Sequence, residues 1–337
     1  MNNLKFLVTG GAGFIGSHTC ELLVSQEIPV IAFDNLSCGR LENLAAVTKS
    51  SLFEFIEGDI RNEVDIEKCF PGVTHVIHFA GIGEIVPSID NPLNYLETNV
   101  LGTAKVLEVS RKHGIESFVY AASSSCYGLA KTPTSEDAPI DLRHPYAVSK
   151  YLGETIALQW GEIYGLPVKS VRIFNAYGRR VRTNGSYGAV MGVFLKQRIE
   201  NQPLTIVGDG EQVRDYVHVS DVANAFIKAS LSPMNGRIWN LGSGIGVTIN
   251  ELAKIIGGDT VHIPDRPGEP RITLANIARI ALEIDWSPKI TFEQGVKDIL
   301  DNIQEWKGAP LWTASSIAKV TESWFAALGE RNLRSSE

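Results

Sequence analysis

The sequence predicts an α/β protein: a doubly wound parallel sheet joined to a smaller C-terminal domain. Short β-branched apolar runs alternate with longer segments of helical spacing through the first half of the chain. A glycine cluster stands where the first run meets the first helical segment. Beyond about residue 172 the elements become shorter and more irregular. The 337 residues suffice for one large domain with an appended one.

The expected strands are 5–9, 29–33, 53–57, 75–79, 118–122 and 168–173, each a short apolar run. Between them the apolar spacing predicts helices over 14–25, 41–48, 65–70, 95–113 and 146–164. Parallel strands need such crossovers, so this alternation implies a sheet covered on both faces. Residues 175–184 read as a loop, followed by a helix at 187–200, a strand at 205–207 and a helix at 220–230. A strand at 237–241, a helix at 248–256 and an irregular loop at 266–270 come next. We expect a dinucleotide-binding domain over 1–172 and a second domain over 173–308, interleaved with elements returning to the first. A C-terminal extension over 309–337 carries Trp312, Trp324 and Phe325 and reads as a capping helix in preference to an oligomer contact.

Composition narrows the function. A hydrophobic fraction of 44% with 20% charged residues excludes wholesale disorder. A net charge of −7 gives no drive toward nucleic acid or an anionic membrane. Cys20, Cys38, Cys69 and Cys126 form no CxxC pair, which points to a reducing compartment and to no metal site. No run approaches the roughly 20 apolar residues of a membrane helix, and no targeting segment is visible; a cytoplasmic protein is expected.

Two motifs carry chemistry. Thr9-Gly10-Gly11-Ala12-Gly13-Phe14-Ile15-Gly16 lies between the first strand and the first helix. Glycines there permit a tight turn, close approach of backbone to a pyrophosphate, and a helix N-terminus aimed at its charge. Asp34 ends the second strand, where a carboxylate accepts the ribose hydroxyls and repels a 2′-phosphate, favouring NAD over NADP. Asp59-Ile60 is placed to meet the adenine, and Phe79-Ala80-Gly81 offers a shelf of small residues. The second motif is Tyr146-Ala147-Val148-Ser149-Lys150, whose ends share one helix face. An adjacent ammonium and the positive charge of an oxidised nicotinamide would stabilise the phenolate and make Tyr146 a usable base. Ser123 follows the fifth strand, at the sheet edge where ligands of such folds bind, and can hold a substrate oxygen.

From about Lys5 to Trp306 the chain resembles the extended short-chain dehydrogenase/reductases, in particular the NAD-dependent sugar-nucleotide epimerases and dehydratases, and most of all those acting on UDP-hexoses. The resemblance implies a Rossmann-type sheet with a C-terminal substrate-binding domain, and Ser123, Tyr146 and Lys150 as catalytic residues. It implies NAD held by Gly10, Gly13, Phe14, Ile15 and Gly16, with Asp34, Asn35, Asp59 and Ile60 at the adenosine end. Phe79, Ala80, Gly81 and Asn99 would complete the cofactor site together with Tyr146 and Lys150. Asn175, Arg214 and Arg266 look like diphosphate contacts, with Glu269 near the nucleoside ribose. Ser124, Ser125, Arg182, Tyr187, Val190 and Thr273 would complete the substrate pocket. Family members commonly pair the helices matching 95–113 and 146–164 into a homodimer.

Within the family, 4,6-dehydratases carry an Asp-Glu pair where this chain has Ser124 and Ser125, and decarboxylases keep a Glu there. Neither serine can act as a carboxylate acid or base. The implied reaction is therefore C4 epimerisation of a nucleotide-diphosphate sugar through a 4-keto intermediate. The alternatives are 4-keto-sugar reduction and, further off, 4,6-dehydration. Gly83 stands where glucose and galactose enzymes often have Lys, and Thr273 where they tend to have Tyr. These departures, with the cationic loop holding Arg182, resemble enzymes of N-acetylated hexosamines or hexuronic acids, between which the sequence does not choose.

Overall fold

The structure, a computed structural model, describes residues 4–181, 190–265 and 269–327. Its strands are β1 (Phe6–Thr9), β2 (Val30–Asp34), β3 (Phe53–Glu57), β4 (His75–His78), β5 (Ser117–Ser123), β6 (Val168–Ile173), β7 (Asn175–Tyr177), β8 (Leu204–Val207), β9 (Val213–His218), β10 (Arg237–Leu241), β11 (Gly246–Thr248), β12 (Thr260–Ile263) and β13 (Ile272–Thr273). Seven of them form one parallel sheet in the order β10-β6-β5-β4-β1-β2-β3. The chain runs outward from β1 to β3, then returns to β4 on the other side of β1. Between β1 and β4 lies the switch point, where folds of this kind leave a crevice at the carboxyl ends of the strands.

Both faces of the sheet are covered, which is why its strands read as nearly continuous apolar runs. Phe6, Val8, Ala32, Ile77 and Val119 face the helices Phe14–Ser25 and Val219–Leu231. Leu7, Ile31, Phe33, Val76 and Phe118 face the other way, toward Val106, Leu107 and Ala157 of the opposite layer. β10 is the seventh strand, so the segment from Val219 to Leu241 packs with the first sheet although it follows the irregular stretch.

The second lobe is built from β7, β9, β11 and β13, the pair β8 and β12, and the helices Val190–Ile199, Ile249–Ile256 and Phe292–Asp301. They enclose a separate core around Phe194, Leu252, Val296 and Trp306. The 309–327 segment continues from this core, with Ile317 of the helix Ala314–Val320 buried in it.

Two expected helices differ. Over 41–48 only a 3₁₀ turn at Leu41–Leu44 forms, followed by further turns. Eight residues recover little of the cost of nucleating an α-helix, and the turns suffice to bury Leu44 and Val47. The 95–113 segment is helical from Pro92, but Glu97–Gly102 is wound as a π-helix. Apolar spacing carries no sign of that extra residue per turn, and such widened turns recur at functional sites.

Candidate active site

The crevice is a cleft of about 830 Å³ between the two lobes. At one end the Gly10 turn is built so that only glycines fit. Gly10 has φ +70°, and a Cβ on Gly16 would lie 2.1 Å from the Gly10 carbonyl oxygen. The helix Phe14–Ser25 therefore starts against β1 with no side-chain cap on Gly13 and no acidic residue in its first turn. Its free N–H groups and positive dipole end face the cleft, a receptor for a pyrophosphate. Asp34, 8% exposed, accepts N–H bonds from Ala12 (3.0 Å) and Leu36 (2.8 Å). Burial pushes its carboxyl up, and these backbone donors work against that. The turn and the carboxylate are thus locked together, and the residues present fit a dinucleotide.

Most of the expected cofactor residues meet here: Gly10, Gly13, Phe14, Ile15, Gly16, Asp34 and Asn35 line the cleft, as do Ile60, Phe79, Ala80 and Gly81. The other two, Asp59 and Asn99, are held by neighbouring groups beside the cleft wall. Asp59 is not among the lining residues; its carboxylate is gripped by Arg61 at 2.7 Å and by Asn35 at 3.0 Å, and Arg61 holds it well below the usual carboxylate range. Gly58 and Ile60 line the wall on either side of it. Asn99, in the π-helical turn, lies behind the wall. Its side chain bonds the Ile82 N–H (2.8 Å), the Ile82 carbonyl (3.0 Å) and the Ser149 hydroxyl (2.9 Å). Asn99 fixes the shelf after β4 to the helix that carries Tyr146.

That helix, Pro145–Tyr164, opens with His144 as its cap, the ring Nδ1 accepting the Ala147 N–H at 3.2 Å. Tyr146 and Lys150 lie one turn apart and both line the cleft, opposite Ser123 at the end of β5. The Ser123 hydroxyl donates to Ser125 Oγ at 3.0 Å. Burial pushes the Tyr146 phenol up, and a hydrogen bond with Ser123 pulls it down. Burial likewise lowers Lys150 to about 8, while the Glu154 carboxylate one turn further on supports its charge. The Lys150 ammonium sits 4.5 Å from the centre of the Tyr120 ring. In the protein alone burial dominates at both groups; the support expected for the phenolate is one that Lys150 shares with the positive charge of an oxidised nicotinamide. Cys126 is buried, and burial raises its thiol to about 12.

Across the cleft, Asn175 donates to the Asp215 carbonyl and to Thr273 Oγ1, both at 3.2 Å. Arg214 pairs with Glu269 at 2.6 Å, so two expected ligand contacts hold each other. Ser124, Ser125, Val190 and Thr273 also line the cleft. Arg182, Tyr187 and Arg266 lie outside the described residues. Asp215 was not singled out by the sequence, yet it is fully buried and accepts bonds from Ser243, Gly244 and Ala275. It fixes the loops around Arg214, and its place next to that arginine was the available signal.

Residues 6–242 match the NAD dependent epimerase/dehydratase family. The chain belongs to that family. The UDP-glucose 4-epimerase of Mycolicibacterium smegmatis is 33% identical over 306 residues, covering 87% of this chain and 96% of the relative. The dTDP-glucose 4,6-dehydratase of Streptomyces niveus is 29% identical over 313 residues, covering 88% and 92%. A solved UDP-N-acetylglucosamine 4-epimerase from Methanobrevibacter ruminantium, in complex with UDP-N-acetylmuramic acid, superposes with a TM-score of 0.84 at 30% identity. It covers 90% of this chain and 100% of its own. The protein is an NAD-dependent enzyme, and the Gly10 turn and Asp34 offer groups that fit such a dinucleotide.

Replacing Asp34 by Ala removes the carboxylate from the ribose end. NAD affinity should fall roughly 10–100-fold, the worth of hydrogen bonds to a charged group, and the discrimination against NADP should relax. Titration of both cofactors into stripped protein measures this; unchanged selectivity would assign the ribose to another residue.

Proposed function

We propose that this enzyme interconverts the C4 epimers of a nucleotide-diphosphate hexose, through a 4-keto sugar that turns over within the cleft. The observation that carries the reading is the run after β5: Ser123 faces Tyr146, and the next two cleft residues are Ser124 and Ser125 rather than carboxylates. A hydroxyl can hold the sugar O4 there, but no group at those two positions can expel water from C5 and C6.

The diphosphate is anchored by Asn175 and Arg214, whose guanidinium would leave or share Glu269 as a phosphate arrives. Ser123 orients O4. Tyr146 takes the O4 proton and later returns it, and Lys150 supports the phenolate charge. NAD, which the Gly10 turn and Asp34 would hold, would supply a reversible acceptor for the C4 hydrogen and its electron pair. The N-acetylhexosamine and hexuronate forms of the substrate remain within this reading, with Thr273 on the wall beside the sugar. All four cysteines are free, which suits a reducing cytoplasm, and among the described residues no helix is long and apolar enough to cross a membrane.

Incubation with UDP-, dTDP-, GDP- and CDP-sugars without added NAD, followed by separation of products, tests the reaction. A C4 epimer is expected. Loss of water would mean a dehydratase, and a product formed only with stoichiometric NADH would mean a reductase.

A homodimer is part of the same reading. Leu93 and Leu101 of the 92–113 helix are 68% and 58% exposed, and Ile163 and Tyr164 of the second helix are 63% and 51% exposed. Apolar side chains in that number suit a two-fold helix bundle. Sedimentation at micromolar concentration should give a dimer; a monomer alone would remove the idea.

A further inference from the structure

The segment 309–327 does more than cap the second lobe. It is fastened there by Gln197 Nε2, which donates to the Trp312 carbonyl at 2.7 Å, and by Lys196 Nζ, which donates to the Lys307 carbonyl at 2.7 Å. Ile317 is buried in that lobe's core, and Trp312 and Val320 pack against it. From this anchorage the chain reaches back across the cleft. Trp312, Thr321 and Trp324 all line the cleft. The Trp324 ring lies 6.0 Å from His144 in the first lobe, and His144 in turn stacks on Tyr146 at 5.9 Å with an interplanar angle of 4°. Trp324 is 8% exposed.

The geometry points to a strap: residues 309–327 close the sugar end of the cleft, and Trp324 is a specificity-determining wall of the hexose pocket. This rests on the nucleotide-sugar reading. Trp324 is two aromatic contacts from Tyr146, and both residues line the same cleft. An indole offers a flat apolar face to the C–H face of a pyranose and excludes water around it.

Binding of UDP, UDP-glucose and UDP-N-acetylglucosamine to the full-length protein and to Trp324→Ala and Trp324→Phe tests this. Calorimetry gives the affinities, and the NAD content of denatured samples controls for folding. Trp324→Ala should weaken the better-bound sugar nucleotide roughly tenfold, leave UDP within about twofold, and alter the ratio between the two sugars. Trp324→Phe should recover most of the loss. If the native protein binds UDP and a UDP-sugar but Trp324→Ala treats them alike, the strap is wrong and the nucleotide-sugar reading stands. If the native protein binds none of the UDP-, dTDP-, GDP- and CDP-sugars, that reading fails and the strap with it; where a base other than uracil is bound, the same comparison is made with that nucleotide and two of its sugars.

Discussion

Tyr146→Phe should lower kcat by roughly 10²–10⁴-fold, the usual worth of general acid–base catalysis, while substrate affinity barely changes. The ring stays in place between His144 and Tyr95, with centroids at 5.9 and 6.5 Å, so packing is retained and only the proton-carrying oxygen is lost. Anchoring is expected from Asn175 and Arg214 on the other lobe, which the substitution does not touch. A kcat loss without a KM change identifies an interaction made in the transition state. Steady-state kinetics and calorimetry decide it; near-native epimerisation by Tyr146→Phe would mean that the wrong base has been named. Ser123→Ala should follow the same pattern. Ser125→Ala should be milder, because epimerisation needs no acid or base at that position, although its hydroxyl accepts from Ser123 at 3.0 Å.

The second large effect is on stability. Arg172 and Glu154 form an ion pair whose side chains are 4% and 2% exposed, with Nη2 to Oε1 at 2.7 Å and Nε to the two carboxylate oxygens at 3.1 and 3.0 Å. Arg172 Nη1 also donates to the Tyr127 hydroxyl at 2.7 Å, and that hydroxyl donates to Asn240 at 2.7 Å. One guanidinium thus joins β6, the catalytic helix, the turn after Ser123 and β10. Arg172→Met strands a buried carboxylate and should cost about 3–5 kcal/mol, whereas Arg172→Met with Glu154→Leu should recover much of it. Denaturant unfolding of the single and double variants measures this, and a loss below about 1 kcal/mol for Arg172→Met would contradict it.

The pair also bears on the chemistry. Lys150, at about 8, loses its charge as pH rises through that value, and the support for the Tyr146 phenolate goes with it. Glu154 raises Lys150, so Glu154→Gln should move this alkaline fall in kcat/KM to lower pH.

The sheet and the polar chemistry near it were legible because they are local. Strands covered on both faces announce themselves as apolar runs, and the Gly10 turn needs glycines where no Cβ fits. Tyr146 and Lys150 are visible as a pair because a helix turn places them together. What was not legible depends on contacts between distant segments. The buried Arg172–Glu154 pair joins a strand to a helix, and nothing in either segment marks an ion pair. The grip of Arg61 and Asn35 on the Asp59 carboxylate likewise has no mark in the sequence. Trp324 reaches His144 across 180 positions of sequence, and only the fold brings them together.

The central claim is that C4 is oxidised and reduced in place. A UDP-hexose deuterated at C4, or the sugar nucleotide that the product screen selects, should be incubated with the purified protein and an excess of unlabelled NADH. The C4 epimer should then form with its deuterium retained at C4. Loss of the label to solvent or to the free NADH pool, with the epimer still formed, would contradict the account.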